Sequence, residues 1–179
     1  MALLVMRVTG ELQGSAFYPH LAGVGFSYNP FVWGPEIDPK AGVLRLVYGL
    51  GTRAVDRVDD DYTRVVALNA PLRRPEGSLD EIVRHTQRRV DVVDLEGGHL
   101  AAGEFSELIA RAEGVPVDLF TTETPEGGRF LTFDGLLTRT SFVEDFRKLL
   151  GTLERTYGKP VDVEFAVNFL PDGKNYSIN

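Results

Sequence analysis

Cysteine is absent from the 179 residues. That excludes disulfides, thiolate metal sites and a cysteine nucleophile, and it fits a reducing compartment. Lysine is scarce: only Lys40, Lys148, Lys159 and Lys174 occur, so few ammonium groups are at hand to hold phosphate. Positive charge is also outweighed, with a formal net charge of −7. The most basic stretches, around Arg73 and Arg74 and around Arg88 and Arg89, read as solvated surface balanced by nearby acids, and no nucleic-acid face is expected. The three histidines, His20, His85 and His99, show no metal-ligand spacing. Long apolar runs are missing too. The opening "MALLVMRV" is too short to span a bilayer and lacks the basic start and cleavage site of a signal peptide. These absences predict a soluble, cytoplasmic chain without a membrane partner. There is no internal repeat, no low-complexity tract and no G-x-G-x-x-G.

What remains is an ordinary globular composition, 43% apolar and 25% charged, long enough for one domain or one large lobe of a bigger one. Apolar runs predict strands over Ala2–Val8, Gly23–Asn29 and Val43–Gly51, then over "TRVVALNAP", "RRVDVVDLEGG" and "GGRFLTFDGLL". "GELQGSAFYPHLA" and "NPFVWGPEIDPKAG" read as loops. Ser78 with Glu81, and Ser141 with Glu144, have the spacing of capping boxes and predict helices from Leu79 and after Ser141. A further helix is expected across "GEFSELIARAEG". Phe142, Phe146, Leu149, Leu153 and Tyr157 follow helical spacing, with Glu144 and Lys148 as an i, i+4 pair. Gly158 and Pro160 supply the stop. The expected class is α+β, with hairpins implying a largely antiparallel sheet.

The closing stretch "VDVEFAVNFLPDGKNYSIN" predicts a strand, a turn at Asp172–Gly173 and a strand paired back antiparallel. Asp162 and Glu164 share one strand face, about 7 Å apart at their roots. A solvated polar face accounts for such a pair. So does a divalent cation, which collects several hard oxygen ligands. On geometry alone the solvated face is the commoner outcome.

Three segments in order carry a resemblance. "GVGFSYNP" (23–30), "LVYGLGTRAVD" (46–56) and "LLGTLERTYGKPVDVEFAV" (149–167) resemble segments of the nucleotide-binding domain of the phosphoenolpyruvate synthase and pyruvate phosphate dikinase family. Residues about 70–140 align only loosely. The resemblance implies an ATP-grasp-like C-terminal lobe that binds ATP and Mg²⁺. It implies Glu164 as a Mg²⁺ ligand with Asp162 beside it. Main-chain groups of Met6, Arg7 and Val8 would line the adenine edge, and Gly49 and Gly51 would let backbone approach the ribose or phosphates. The chemistry implied for the parent protein is Mg-ATP-dependent phosphoryl transfer to a histidine carrier, then to pyruvate or a related acceptor.

The chain departs from the family at two places: Thr52 stands where an acid is common after Gly-Leu-Gly, and Met6-Arg7 where glutamine and an acid are common. The resemblance implies that residues 1–179 are a single lobe of an ATP-grasp domain, expected to be excised from a longer chain. The expected partners are the first ATP-grasp lobe and a phosphohistidine domain, and the piece alone is expected not to turn over. The alternatives are a non-catalytic nucleotide-sensing or structural domain, and an unrelated α+β binding domain that happens to carry acids.

Overall fold

The computed structural model describes residues 5–55, 61–125 and 127–179. Its organising element is β3 (Leu21–Phe26), the centre of a five-stranded antiparallel sheet. The neighbours are β4 (Val43–Val47) and β5 (Arg64–Ala67) on one side, and β10 (Asp162–Phe169) and β11 (Tyr176–Ile178) on the other. Register explains the "GVG" in β3. Gly23 lies opposite both Leu46 and Phe165, and Gly25 opposite Leu44 and Val163. A Cβ at Gly23 would collide with the Arg45 carbonyl and the Phe165 ring. The glycines therefore leave a valley, which Phe165 fills beneath Phe146, their ring centroids 4.3 Å apart. Helix α6 (Phe142–Tyr157) lies over this valley through Phe142, Phe146 and Leu150.

A four-stranded antiparallel sheet runs β1 (Glu11–Gln13), β2 (Ala16–Tyr18), β6 (Arg89–Asp94), β7 (His99–Glu104). Tyr18, Val90 and Val92 from it join the same core, along with Phe105 and Ile109 of α3 (Phe105–Arg111). At the join, the buried Tyr48 ring meets Phe105 and Phe120 edge-on at 5.5 and 5.8 Å. Such geometry sets the positive ring edge against the negative face. The remaining elements are short: α1 (Thr52–Val55), α2 (Leu79–Arg84), α4 (Val117–Phe120), α5 (Asp134–Arg139) and the hairpin β8 (Thr121–Glu123) with β9 (Arg129–Leu131). Among the described residues no helix is long and apolar enough to cross a membrane.

The α+β class and antiparallel pairing follow the sequence reading, and several local details do not. Ala2, Leu3 and Leu4 lie outside the described residues. Residues 5–8, expected as buried strand, are unpaired and exposed, Met6 at 73%. The expected loop 10–22 contains the hairpin β1–β2, turned at Gly14 with φ of 65°. Strand β7 was not anticipated; it pairs with β6 along six residues. The expected strand through "RFLTFDGLL" stops at Leu131 because Phe133 adopts a left-handed conformation and begins α5.

Ser141 does not cap α6. Its hydroxyl donates to Asp145 Oδ2 at 2.7 Å, while Thr140 Oγ1 accepts from the Phe142 N–H. Glu144 instead pairs with Lys148 at 2.7 Å, as its spacing predicts. At α2, Ser78 caps Glu81 N as expected, but Glu81 reaches back to Gly77 N rather than to Ser78. The buried stripe of α6 is rotated slightly from the expected one: Leu150 is inside and Tyr157 is 66% exposed.

Candidate functional site

The second face of the five-stranded sheet carries small side chains. Ala22, Val24, Val47 and Ala54 form their own cluster there, with Phe26 and Ala166 against it. Alternation along β10 places Asp162, Glu164 and Ala166 on this face and Val163, Phe165 and Val167 in the core. Glu164 stands opposite Val24, and Asp162 opposite Phe26. Because the floor is low, an open groove of about 830 Å³ remains between it and the second sheet. Segment 6–9, the Leu50–Thr52 turn with Val55, Val93 of β6 and Leu100 of β7 form its walls; Ala22, Glu164 and Ala166 lie along its base.

Five of the seven sequence-derived positions meet here: Met6, Arg7, Val8, Gly51 and Glu164. They come from three chain segments that are far apart in sequence. Gly49 does not line the groove. It is buried, has φ of 86°, and a Cβ there would collide with Val90 and come 2.9 Å from the Asp91 carbonyl. Its conformation serves the close approach of the β4 exit to β6. Asp162 shares the face of Glu164 but lies two register pairs beyond the groove lining. Residues that the sequence did not flag include Thr9, Pro19, Leu50, Val55, Val93, Leu100 and Asn179. Val93 and Leu100 were out of reach because the β6–β7 hairpin was not anticipated.

The wall at residues 50–55 is fixed by a polar knot. Arg53 Nε donates to Asp91 Oδ1 at 2.9 Å, and Arg53 also pairs with Asp61 at 3.4 Å. The Asp61 side chain is 2% exposed and accepts from the N–H groups of Tyr62, Arg88 and Arg89 at 2.8–3.0 Å. Thr52 Oγ1 donates to Asp91 Oδ2 at 2.6 Å. The hydroxyl that replaces an expected acid is therefore tied to a carboxylate from the neighbouring strand. Gln87, also buried, bonds both the N–H and the carbonyl of Tyr48, which locks the β4 exit to β6.

His20 sits at the link between the sheets, beside Pro19 of the groove. Its Nδ1 accepts from the Phe169 N–H at 2.9 Å, and its Nε2 lies 3.5 Å from Glu11 Oε2. Burial pushes its pKa below the ordinary value, and Glu11 opposes that shift.

The carboxylates of Glu164 and Asp162 make no hydrogen bond or ion pair among the described residues. Nor do those residues hold any group of three or more potential ligands that could bind a metal on its own. A pair of open carboxylates is what Mg²⁺ uses when phosphate oxygens complete its shell. The donor set therefore fits a cation that arrives with a phosphate ligand, and it does not fit a resident, all-protein metal site.

The family described as pyruvate phosphate dikinase, AMP/ATP-binding domain, matches residues 1–178, a span that includes the stretch 70–140. No curated protein matches the chain. With that match running almost end to end, and with antiparallel sheets enclosing the groove, the chain belongs to the AMP/ATP-binding domain family of pyruvate phosphate dikinase.

Proposed function

We propose that the chain is the Mg-ATP-binding lobe of a phosphotransferase of the phosphoenolpyruvate synthase and pyruvate phosphate dikinase type, built as one lobe of an ATP-grasp domain. The observation that carries this is the convergence of Met6, Arg7, Val8, Gly51 and Glu164 on one groove. Apolar walls at Met6, Val8, Leu50 and Leu100 suit the faces of a purine, and the exposed main chain of segment 6–9 suits its polar edge. Glu164, with Asp162 beside it, would hold Mg²⁺ together with the phosphates. The bound ion would neutralise charge that phosphoryl transfer spreads over the phosphate oxygens. The polar knot at Arg53, Asp61 and Asp91 keeps the Gly51 wall at a fixed distance from the floor. In the parent protein the phosphoryl group would pass to a histidine carrier and on to pyruvate or a related acceptor, with a second lobe closing on the nucleotide.

A second reading is a nucleotide-sensing or structural domain without transfer. Thr52 favours it, because a hydroxyl already donating to Asp91 supplies no additional negative ligand.

Thermal unfolding tests nucleotide binding. Mg-ATP at about 100 times its dissociation constant stabilises the native state by about 2.7 kcal/mol. For a chain of this size that raises the midpoint by about 5–11 °C. Glu164→Gln is expected to lose the Mg²⁺-dependent part of the rise. No rise with the wild-type protein would discard nucleotide binding in this chain. An equal rise in the variant would remove only the role given to Glu164.

A further inference from the structure

The two larger sheets end on four edge strands, and three of them are short or covered. β1 and β11 have three residues each. β5 has four, and the Arg64 guanidinium on it donates to the carbonyls of Val65 and Pro71. β7 differs: it runs for six residues, and no proline, lysine or arginine interrupts it. An edge without such protection is a template for another strand.

Register shows which main-chain groups β7 leaves open. The Phe105 N–H donates to the Arg88 carbonyl, so the pairs that exchange hydrogen bonds with β6 are Val90 with Gly103 and Val92 with Ala101. Leu100 and Ala102 therefore turn their N–H and C=O groups outward. Among the described residues those groups have no partner, and both residues are exposed, Leu100 at 66%. Helix α3 leaves the edge clear, because it packs toward the core through Phe105 and Ile109.

The open groups are symmetric about Ala101, so the strand matches its own copy run antiparallel. A two-fold at Ala101 sets Leu100 opposite the partner's Ala102, and Ala102 opposite the partner's Leu100. All four open groups on each strand are then used. The side chains at the seam, Leu100, Ala101, Ala102 and Gly103, carry no charge. Antiparallel pairing also places the His99 end of each strand beside the Glu104 end of its mate, whereas parallel pairing would set like ends together.

We propose that β7 pairs antiparallel with β7 of a second copy of this chain, joining the two four-stranded sheets into one of eight strands with both Leu100 walls on the same face. This surface is independent of the nucleotide reading of the groove.

Four hydrogen bonds with little apolar area make a small interface, so the dimer is weak and sedimentation velocity should span about 10 μM to 1 mM. A shift from monomer to dimer is expected, with no larger species, since each chain offers one such edge. Ala102→Pro removes an outward N–H from each copy and leaves the ladder with β6 intact. It should weaken the dimer about tenfold or more. Ala102→Lys, which keeps the main chain unchanged, should also weaken it and serves if the proline variant does not fold. Leu12→Lys, on the β1 edge, should change nothing. Ala101 would face its own copy with Cα atoms about 4.5 Å apart, within disulfide reach. The chain has no cysteine, so Ala101→Cys should link two chains on mild oxidation and Leu12→Cys should not. The proposal is overturned if the protein stays monomeric throughout, if larger species form, if the Ala102 variants leave association intact, if Leu12→Lys removes it, or if Ala101→Cys links no better than Leu12→Cys.

Discussion

Replacing Asp61 by alanine should be among the most damaging single changes outside the aromatic core. Its carboxylate is almost fully enclosed and serves three backbone N–H groups and the Arg53 guanidinium. Removing it leaves the three backbone N–H groups without this acceptor and takes from Arg53, itself 10% exposed, one of its carboxylate partners, Asp91 being the other among the described residues. Breaking a buried pair in this way typically costs about 3–5 kcal/mol. Against a typical total stability of about 5–15 kcal/mol that is a large fraction. It corresponds to a fall in melting temperature of about 6–20 °C for a chain of this length. Urea unfolding followed by circular dichroism measures it as a shift in midpoint at constant slope. The control is Glu144→Gln, which breaks the pair with Lys148 on the open face of α6, where both side chains are more than two-thirds exposed. That variant should leave the midpoint unchanged within error, since water already screens the pair. A cost below about 1 kcal/mol for Asp61→Ala, or equal effects of the two variants, would refute the argument that the knot holds the groove wall.

Three other outcomes follow from the geometry. Gly49→Ala places a Cβ against Val90 in a backbone conformation with φ of 86°, so left-handed strain and overpacking together should cost about 2–4 kcal/mol, read by the same urea melts. His20 binds its proton less readily folded than unfolded, so the unfolded chain takes up more protons as pH falls through the ordinary histidine range. Stability should be fully present above about pH 6.5 and should fall below it. His20→Gln should flatten that part of the pH profile. Asp145 is held below its ordinary value, first by the Tyr176 hydroxyl at 2.5 Å and then by Ser141, while burial and Asp145 push Tyr176 up to about 12. Its contribution is present above the ordinary aspartate range and lost as pH falls through its depressed value. Tyr176→Phe should therefore shrink the acid-side slope of the stability profile.

The strand alternation in "VDVEFAV" was enough to place Glu164 and Asp162 on the face away from the core, because a period of two leaves no other choice once Phe165 and Val167 are inside. Gly158, the Asp172–Gly173 turn and the helix after Ser141 were equally legible, since their signals are local. What escaped was set by partners distant in sequence. Nothing in "HLAAGE" marks a strand until it pairs with "RVDVVD", so the Leu100 wall of the groove was invisible. "VMRV" looks like a buried strand by composition, yet residues 5–8 are unpaired and exposed. Gly49 looked like a glycine reserved for a ligand; its neighbour turned out to be Val90. Ser141 and Glu144 had the right spacing for a capping box, but the Tyr176 hydroxyl and Asp145 drew the serine elsewhere.

Photolabelling with 8-azido-ATP in the presence of Mg²⁺, followed by peptide mapping, reads where the purine lies. Label is expected on the segment Met6–Thr9 or around Leu100, suppressed by excess ATP. Label confined to the α6 surface between Arg147 and Arg155, or to Phe31 and Trp33, would contradict the nucleotide reading of the groove.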